Sequence, residues 1–339
     1  MSEAALSRDG KPVNLVSLAS AGAAPVRQVA DPAGVRRLAD VLAAGHFAVT
    51  GEIVPPASAD PWDFVARAAP LKGWVDAANV TDAAGARATM CSLAGAALLV
   101  QNGIDAVLQM TCRDRNRIAL EGDLLGAAAL DVRNVLMMTG DDPKGGDQPE
   151  TKAVHDIDSR ALMNIARVMR DEGVLPSGRA IAGRPQVFIG CAEVPSEPKP
   201  DWQPKGILAK IEAGARFAQT QFCFDAGVAR RWAARLVDAG IAEKLYVLIG
   251  IGPIASVKSA VWMRDNLWGT VMPDSVIARL EQATDARAEG VRICAELMQE
   301  LAEVPGIAGV HLMSPRGAET IAEAVAESGI MARRGAARA

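Results

Sequence analysis

Eight short apolar runs punctuate the chain, each closed by polar residues or glycine: FAVTGEIV (47–54), WVDAANVT (74–81), IDAVLQMT (104–111), RNVLMMTG (133–140), QVFIGCAE (186–193), FAQTQFCF (217–224), LYVLIGIG (245–252) and IAGVHLM (307–313). Near-continuous apolar runs of this length are what a strand buried on both faces requires. Alanine- and leucine-rich stretches of helical length lie between them. Strand and helix alternating eight times predict a single α/β domain, a closed (β/α)8 barrel of the TIM type. In such a barrel the chemistry sits where the strands end. Here those ends carry Glu52, Thr81, Thr111, Asp141, Glu193 and Gln221.

Around this repeat the pattern predicts an N-terminal extension and long loops at the C-terminal face. Residues 1–30, rich in Ala, Ser, Gly and Pro, read as a loose arm; 31–331 form the barrel domain; 332–339 form a frayed tail. Within 31–44, Val35, Leu38, Val41 and Leu42 share one helical face, placed to cap the barrel bottom. Two loops are long and irregular: DDPKGGDQPETKAVHD (141–156) after the fourth strand and VPSEPKPDWQPKG (194–206) after the fifth. Both fall at the catalytic end, where long loops serve as lids. The stretch 254–306 is long enough for more than one helix.

Composition narrows the function. The 339 residues exceed the roughly 250 of a plain barrel. A net charge of −4 argues against nucleic acid as a partner, so any basic pocket for an anionic cofactor must be local. No apolar run of about 18 residues predicts a membrane span. The first residues do not read as a secretion signal, which makes the cytoplasm the expected compartment. Alanine- and leucine-rich outer faces of the barrel helices leave a homo-oligomer open. The five cysteines are widely spaced and form no CxxC pair or Cys/His cluster, so no metal site is expected. They read as buried, reduced thiols.

Four motifs carry candidate chemistry. TGEIVPP (50–56) ends the first strand with Glu52, and the two prolines stop the strand and set the turn. A carboxyl facing a barrel mouth is placed to act as a general acid; the plainer alternative is a solvated strand-edge glutamate. TGDDP (139–143) puts Gly140, which lets backbone approach a ligand, before Asp141. TQFCFD (220–225) offers the amide of Gln221, and GIGP (250–253) ends the seventh strand in tight glycines. In CRDRNR (112–117), Arg113, Arg115 and Asn116 suit either a phosphate or the start of the next helix. Glu193 reads as a structural ion-pair partner. His46, His155 and His311 read as core or surface histidines, and Tyr246, Met137 and Met138 as packing.

Taken in order, a glutamate before a two-proline turn, TGDDP, AGARFAQTQFCFD and GIGP resemble the methylenetetrahydrofolate reductase family over roughly residues 45–325. The run CRDRN…DLLGAAALDVRNVLMMTGD is most similar to the branch of one-carbon-using bacteria and acetogens. The resemblance implies reduction of 5,10-methylenetetrahydrofolate to 5-methyltetrahydrofolate, or the reverse, with tetrahydrofolate derivatives as partners. It implies Glu52 as the acid at N10 and Asp141 as the residue that bonds the pterin and tunes a flavin. It implies Thr81, Gln109, Thr111, Arg113, Asp114, Gly140 and Lys210 around the cofactor, and Asp141, Gln221 and Gly252 around the substrate. FAD is the implied cofactor, with NADH or NADPH as donor.

Several positions depart from the family pattern. Gln109 stands where a histidine is common, Cys191 and Pro195 replace a tyrosine and a histidine, and Leu208 replaces the first lysine before Lys210. These departures keep FMN, or no flavin and direct hydride transfer, open beside FAD. A partner-dependent folate-binding subunit is the reading from another class, and the presence of Glu52 weighs against it.

Overall fold

The computed structural model describes residues 37–314 and 317–333. Eight parallel strands close into one barrel in sequence order. They are β1 (Ala48–Ile53), β2 (Ala77–Val80), β3 (Ala106–Thr111), β4 (Asn134–Met138), β5 (Phe188–Glu193), β6 (Phe217–Phe222), β7 (Tyr246–Ile251) and β8 (Gly309–Leu312). All eight predicted runs are strands, trimmed at their ends where Gly, Thr and Asp begin the turns. Helices follow them: α2 (Pro61–Ala68), α3 (Ser92–Gln101), α4 (Arg117–Ala129), α5 (Ser159–Asp171), α6 (Lys205–Glu212) and α7 (Ala226–Asp238). Three helices, α8 (Val257–Asn266), α9 (Asp274–Gln282) and α10 (Ala286–Ala302), fill the long stretch before β8. α11 (Ala318–Ser328) and α12 (Ile330–Arg333) end the described chain.

The helix starts follow from local chemistry. Asp60, Asn116, Asp158, Asp225 and Asp285 each accept a hydrogen bond from a backbone N–H of the first turn. That satisfies a donor the helix itself leaves unpaired.

Of the predicted helix at 31–44, the described part is α1 (Leu38–Ala43). Residues 1–36 lie outside the described residues, so the N-terminal arm and Val35 do too. Ala332 and Arg333 of the predicted tail close α12, and 334–339 are not described. Leu38, Val41 and Leu42 join Ala48, Ala77, Val107, Leu136, Phe217 and Leu248 in one buried cluster. These are the inward residues of the lower barrel, so α1 plugs its bottom. Asp105 pins the plug, accepting from Leu38 N (2.8 Å), Arg37 Nη1 (3.0 Å) and Asn134 Nδ2 (2.8 Å). Burial raises the Asp105 carboxyl above the usual range despite these donors.

Alternation along each strand carries the interior upward in steps of two residues. Above the apolar floor, Ala48 is followed by Thr50, Ala77 by Asn79, Val107 by Gln109, Phe217 by Gln219 and Gly309 by His311. Eight strands leave an interior just wide enough for side chains to fill. Phe217 fills much of it, stacked on Phe188 with ring centroids 5.0 Å apart. Gly190 makes room: a Cβ there would lie 2.2 Å from Phe217 Cζ.

That contact makes Gly190→Ala a test of interior packing. Overpacking a filled core costs about 1–3 kcal/mol. The variant is expected to unfold at lower denaturant with an unchanged slope, about 2 kcal/mol less stable. A midpoint equal to that of the unaltered chain would show that the barrel accommodates the methyl group.

Candidate active site

The upper barrel holds one connected polar group. Glu52, on the third inward position of β1, is 22% exposed. Gln109 donates through Nε2 to Glu52 Oε2 at 3.0 Å. His311 Nε2 lies 3.6 Å from the same oxygen, and its Nδ1 is 3.0 Å from Thr50 Oγ1. Gln219 Nε2 donates to Thr50 Oγ1 (2.9 Å) and to Asn79 Oδ1 (3.0 Å), while Asn79 Nδ2 donates back to Gln219 Oε1 (2.6 Å). Thr50, Asn79, Gln219 and His311 are all buried. Buried amides demand such pairing, because an unmet amide costs about 1–3 kcal/mol.

A second group ties the ends of β2, β3 and β4. Asp82 Oδ2 accepts from Thr111 N (2.8 Å), Thr111 Oγ1 (3.0 Å) and Arg115 Nη2; its Oδ1 accepts from Ser92 Oγ (3.2 Å). Arg115 also reaches Asp123 at 2.8 Å. Arg113 is buried and forks onto Asp114 through two bonds of 2.7 Å; Asp114 and then burial dominate its electrostatics, the first raising and the second opposing its charge. It also donates to the carbonyls of Asp141 (3.3 Å) and Ala83 (3.2 Å). Gly140 packs over this arginine at φ +95°, where a Cβ would meet Arg113 Cβ at 2.9 Å. Asp141 is exposed and accepts from Gly85 N through Oδ2 (2.8 Å). Asn116 caps α4. Beside this group lies a cavity of about 330 Å³ lined by Asp82, Arg87, Cys91, Arg113, Asp114 and Arg115.

The loop at 141–156 folds over this sector. Val154 N donates to Arg113 O (2.7 Å) and His155 N to Cys112 O (3.2 Å). A Cβ on Gly146 would lie 2.1 Å from Ala86 O, so the loop meets the β2–α3 connection closely. The loop at 194–206 is held by Glu197, which forks onto Arg231 at 2.7 Å.

Two predicted residues are tied elsewhere. Lys210 Nζ donates to Glu193 Oε1 (2.8 Å) and Ala192 O (2.6 Å), which gives Glu193 the expected ion pair. Gln221 sits at an irregularity between β6 and β7 and turns Oε1 back onto Phe222 N (3.0 Å). Gly252 is buried, and a Cβ there would lie 1.9 Å from Met313 O, so glycine is needed for β8 to approach. Thr81 Oγ1 is buried without a hydrogen-bond partner.

Sequence reasoning thus finds Glu52 and Gln109, which meet, and Thr111, Arg113, Asp114, Gly140 and Asp141, which form the neighbouring group. It misses Asp82, Thr50, Asn79, Gln219 and His311. The period-2 alternation that marks Glu52 as inward marks Thr50, Gln219 and His311 as inward too, and was the available signal. Four cysteines are buried as expected; Cys91 is exposed, because it precedes α3 on the cavity wall. Cys191 is buried in the packing outside the barrel rather than in its interior.

No helix among the described residues is long and apolar enough to cross a membrane. Among those residues no cluster of His, Cys, Asp and Glu could hold a metal ion.

The closed eight-stranded barrel with polar groups at its C-terminal face defines a (β/α)8-barrel protein. The chain belongs to the methylenetetrahydrofolate reductase family, whose sequence model matches residues 37–329. A probable methylenetetrahydrofolate reductase (NADPH) from Caenorhabditis elegans is 27% identical over 259 residues, 75% of this chain and 36% of that protein. The 5,10-methylenetetrahydrofolate reductase of Salmonella typhimurium is 27% identical over 165 residues, 47% of this chain and 48% of that protein. The chain therefore spans less than half the length of these relatives. Among solved structures, an uncharacterized Clostridium thermocellum protein described as binding two copies of 5-methyl-5,6,7,8-tetrahydrofolic acid superposes with a TM-score of 0.54 at 12% identity. That match covers 86% of this chain and 97% of that one, a likeness of fold.

Burial pushes the thiols of Cys112 and Cys223 up to about 11 and that of Cys191 up to about 12. It raises Cys294 further still. A raised thiol holds less reactive thiolate at neutral pH. One thiol per folded chain is expected to react rapidly with a disulfide reagent, and Cys91→Ser is expected to remove it. Rapid reaction of any thiol in that variant would contradict the burial.

Proposed function

We propose that the chain interconverts 5,10-methylenetetrahydrofolate and 5-methyltetrahydrofolate, with Glu52 as the acid. The carrying observation is the Glu52 carboxyl at the barrel mouth, held by Gln109 and partly open to the solvent side, in a chain of this family. In the reductive direction Glu52 gives its proton to N10 of the substrate. The C–N10 bond breaks, the five-membered ring opens, and an iminium forms between the methylene carbon and N5. Hydride added to that carbon completes the methyl group. Proton transfer of this kind contributes about 10²–10⁴-fold. Asp141 and Gln221 are the proposed pterin contacts, since a carboxylate and an amide suit its mixed donor and acceptor edge. Both present polar groups near the strand ends, and both would turn from their present partners, Gly85 N and Phe222 N, to do so.

The residues around the strand ends do not fit the diphosphate of a flavin dinucleotide. Arg113 is spent on Asp114, Arg115 on Asp82 and Asp123, and Lys210 on Glu193. Freeing any of them would leave a carboxylate without its partner. At the fifth strand, Cys191 supplies no aromatic face for a flavin ring and lies outside the barrel interior. These observations weigh against a tightly held flavin dinucleotide. NADH and NADPH carry a diphosphate of their own, so the proposed direct hydride donor binds only for the turnover, and no step is assigned to a flavin.

Two measurements test the reading. Glu52→Gln is expected to lower turnover of methylenetetrahydrofolate with NAD(P)H at least about 10²-fold while 5-methyltetrahydrofolate still binds. Turnover that survives the substitution would remove Glu52 from the role of acid. The full chain supplied with FAD or FMN is expected to emerge from desalting without a flavin absorbance band and still turn over. A retained flavin that bleaches anaerobically on adding 5-methyltetrahydrofolate would overturn the direct-transfer reading.

A further inference from the structure

His311 is the one histidine among the described residues inside the barrel, and it is 3% exposed. Its two neighbouring strands present opposite surroundings. On β7 its register partner is Gly250, which offers no side chain. On β1 its register partner is Thr50, and Glu52 stands one inward step above. Nδ1 lies 3.0 Å from Thr50 Oγ1, within hydrogen-bond reach, and Nε2 faces Glu52 Oε2 at 3.6 Å, an ion-pair separation just beyond a hydrogen bond.

Glu52 is the charged group facing this imidazole. Thr50, Asn79, Gln109 and Gln219, the other polar residues of the network, are neutral. Nor is Thr50 free to move, because Gln219 donates to its hydroxyl and is itself locked to Asn79 by two reciprocal amide bonds. The chain of contacts runs from β2 through β6 and β1 to β8 and ends on the carboxyl. A neutral imidazole has one N–H and one lone pair. A bare lone pair set against a carboxylate oxygen is repulsive, so the pair keeps a hydrogen on one side or the other. Gln109 reaches the same Oε2 from the β3 side. The carboxyl is therefore held from two directions.

We propose that His311 is the positioning residue for Glu52, fixing its rotamer together with Gln109 and keeping one hydrogen between imidazole and carboxyl. This rests on the reading of Glu52 as the acid. Its hydrogen-bonded support from below, Thr50–Gln219–Asn79, belongs to the same device.

The chain has three histidines, so the full-length protein with 15N-labelled histidine gives a resolvable imidazole spectrum. Signals are assigned with His311→Asn. Glu52→Gln is expected to move the ring nitrogens of His311 and leave those of His46 and His155 in place. With methylenetetrahydrofolate, His311→Asn is expected to lower kcat about 10²-fold, the scale of a misplaced catalytic group, with KM within about threefold. His311→Gln, whose amide nitrogen takes the place of Nε2, is expected to recover part of that loss. Unmoved His311 signals in Glu52→Gln would overturn the pairing. So would a His311→Asn enzyme with unchanged kcat, or one whose loss lies in KM or stability alone. If the unaltered protein turns over no folate while the signals do move, the functional reading fails and the pairing stands.

Discussion

A closed barrel must fill its own interior, and whatever fills the middle must satisfy its hydrogen bonds without water. Here the middle is filled by two amides, a hydroxyl and an imidazole from four strands that are distant in sequence. An unpaired amide in that position would cost more than the pair returns, so the layer is complete or costly. The Asn79–Gln219 pair joins residues 140 positions apart. Closing the barrel in the correct register is thus the same event as assembling the platform on which Glu52 stands. The apolar floor, with Phe217 packed over Gly190 and α1 sealing it from below, keeps that platform dry.

The rim follows a different rule. Arg113, Arg115 and Lys210 each meet a carboxylate; Arg115 ties the end of β2 to that of β3, and Arg113 reaches the carbonyl of Asp141 at the start of the loop at 141–156. Such pairs hold geometry more than they add stability, because desolvation offsets much of the attraction. Breaking one would leave a partly buried charge alone.

The barrel was legible in the sequence because eight apolar runs with polar ends admit few other arrangements. Glu52 was legible because two prolines after it mark a strand end. What was hidden was pairing. Nothing local distinguishes an Arg113 that meets a phosphate from one that forks onto Asp114 beside it. Lys210 and Glu193 lie in different elements, and their meeting depends on how α6 packs on β5. His311 was read as a core or surface histidine; its burial decides for the core, and its register against Thr50 sets it beside the candidate acid. Gln221 shows the converse: simple alternation aims its amide inward, but the irregularity at the end of β6 turns it onto its own backbone.

The two groups divide the labour of a single site. The inner one sets Glu52 and His311 among neutral amides and a hydroxyl. The outer one is charged, with Arg113 and Arg115 paired to carboxylates and Arg87 exposed on the cavity wall. A folate, with a polar pterin and a modest negative tail, suits that combination. The Glu52 carboxyl then answers to two neighbours, Gln109 and His311, and on the proposed reading the strands that carry them set the direction in which it would hand over a proton.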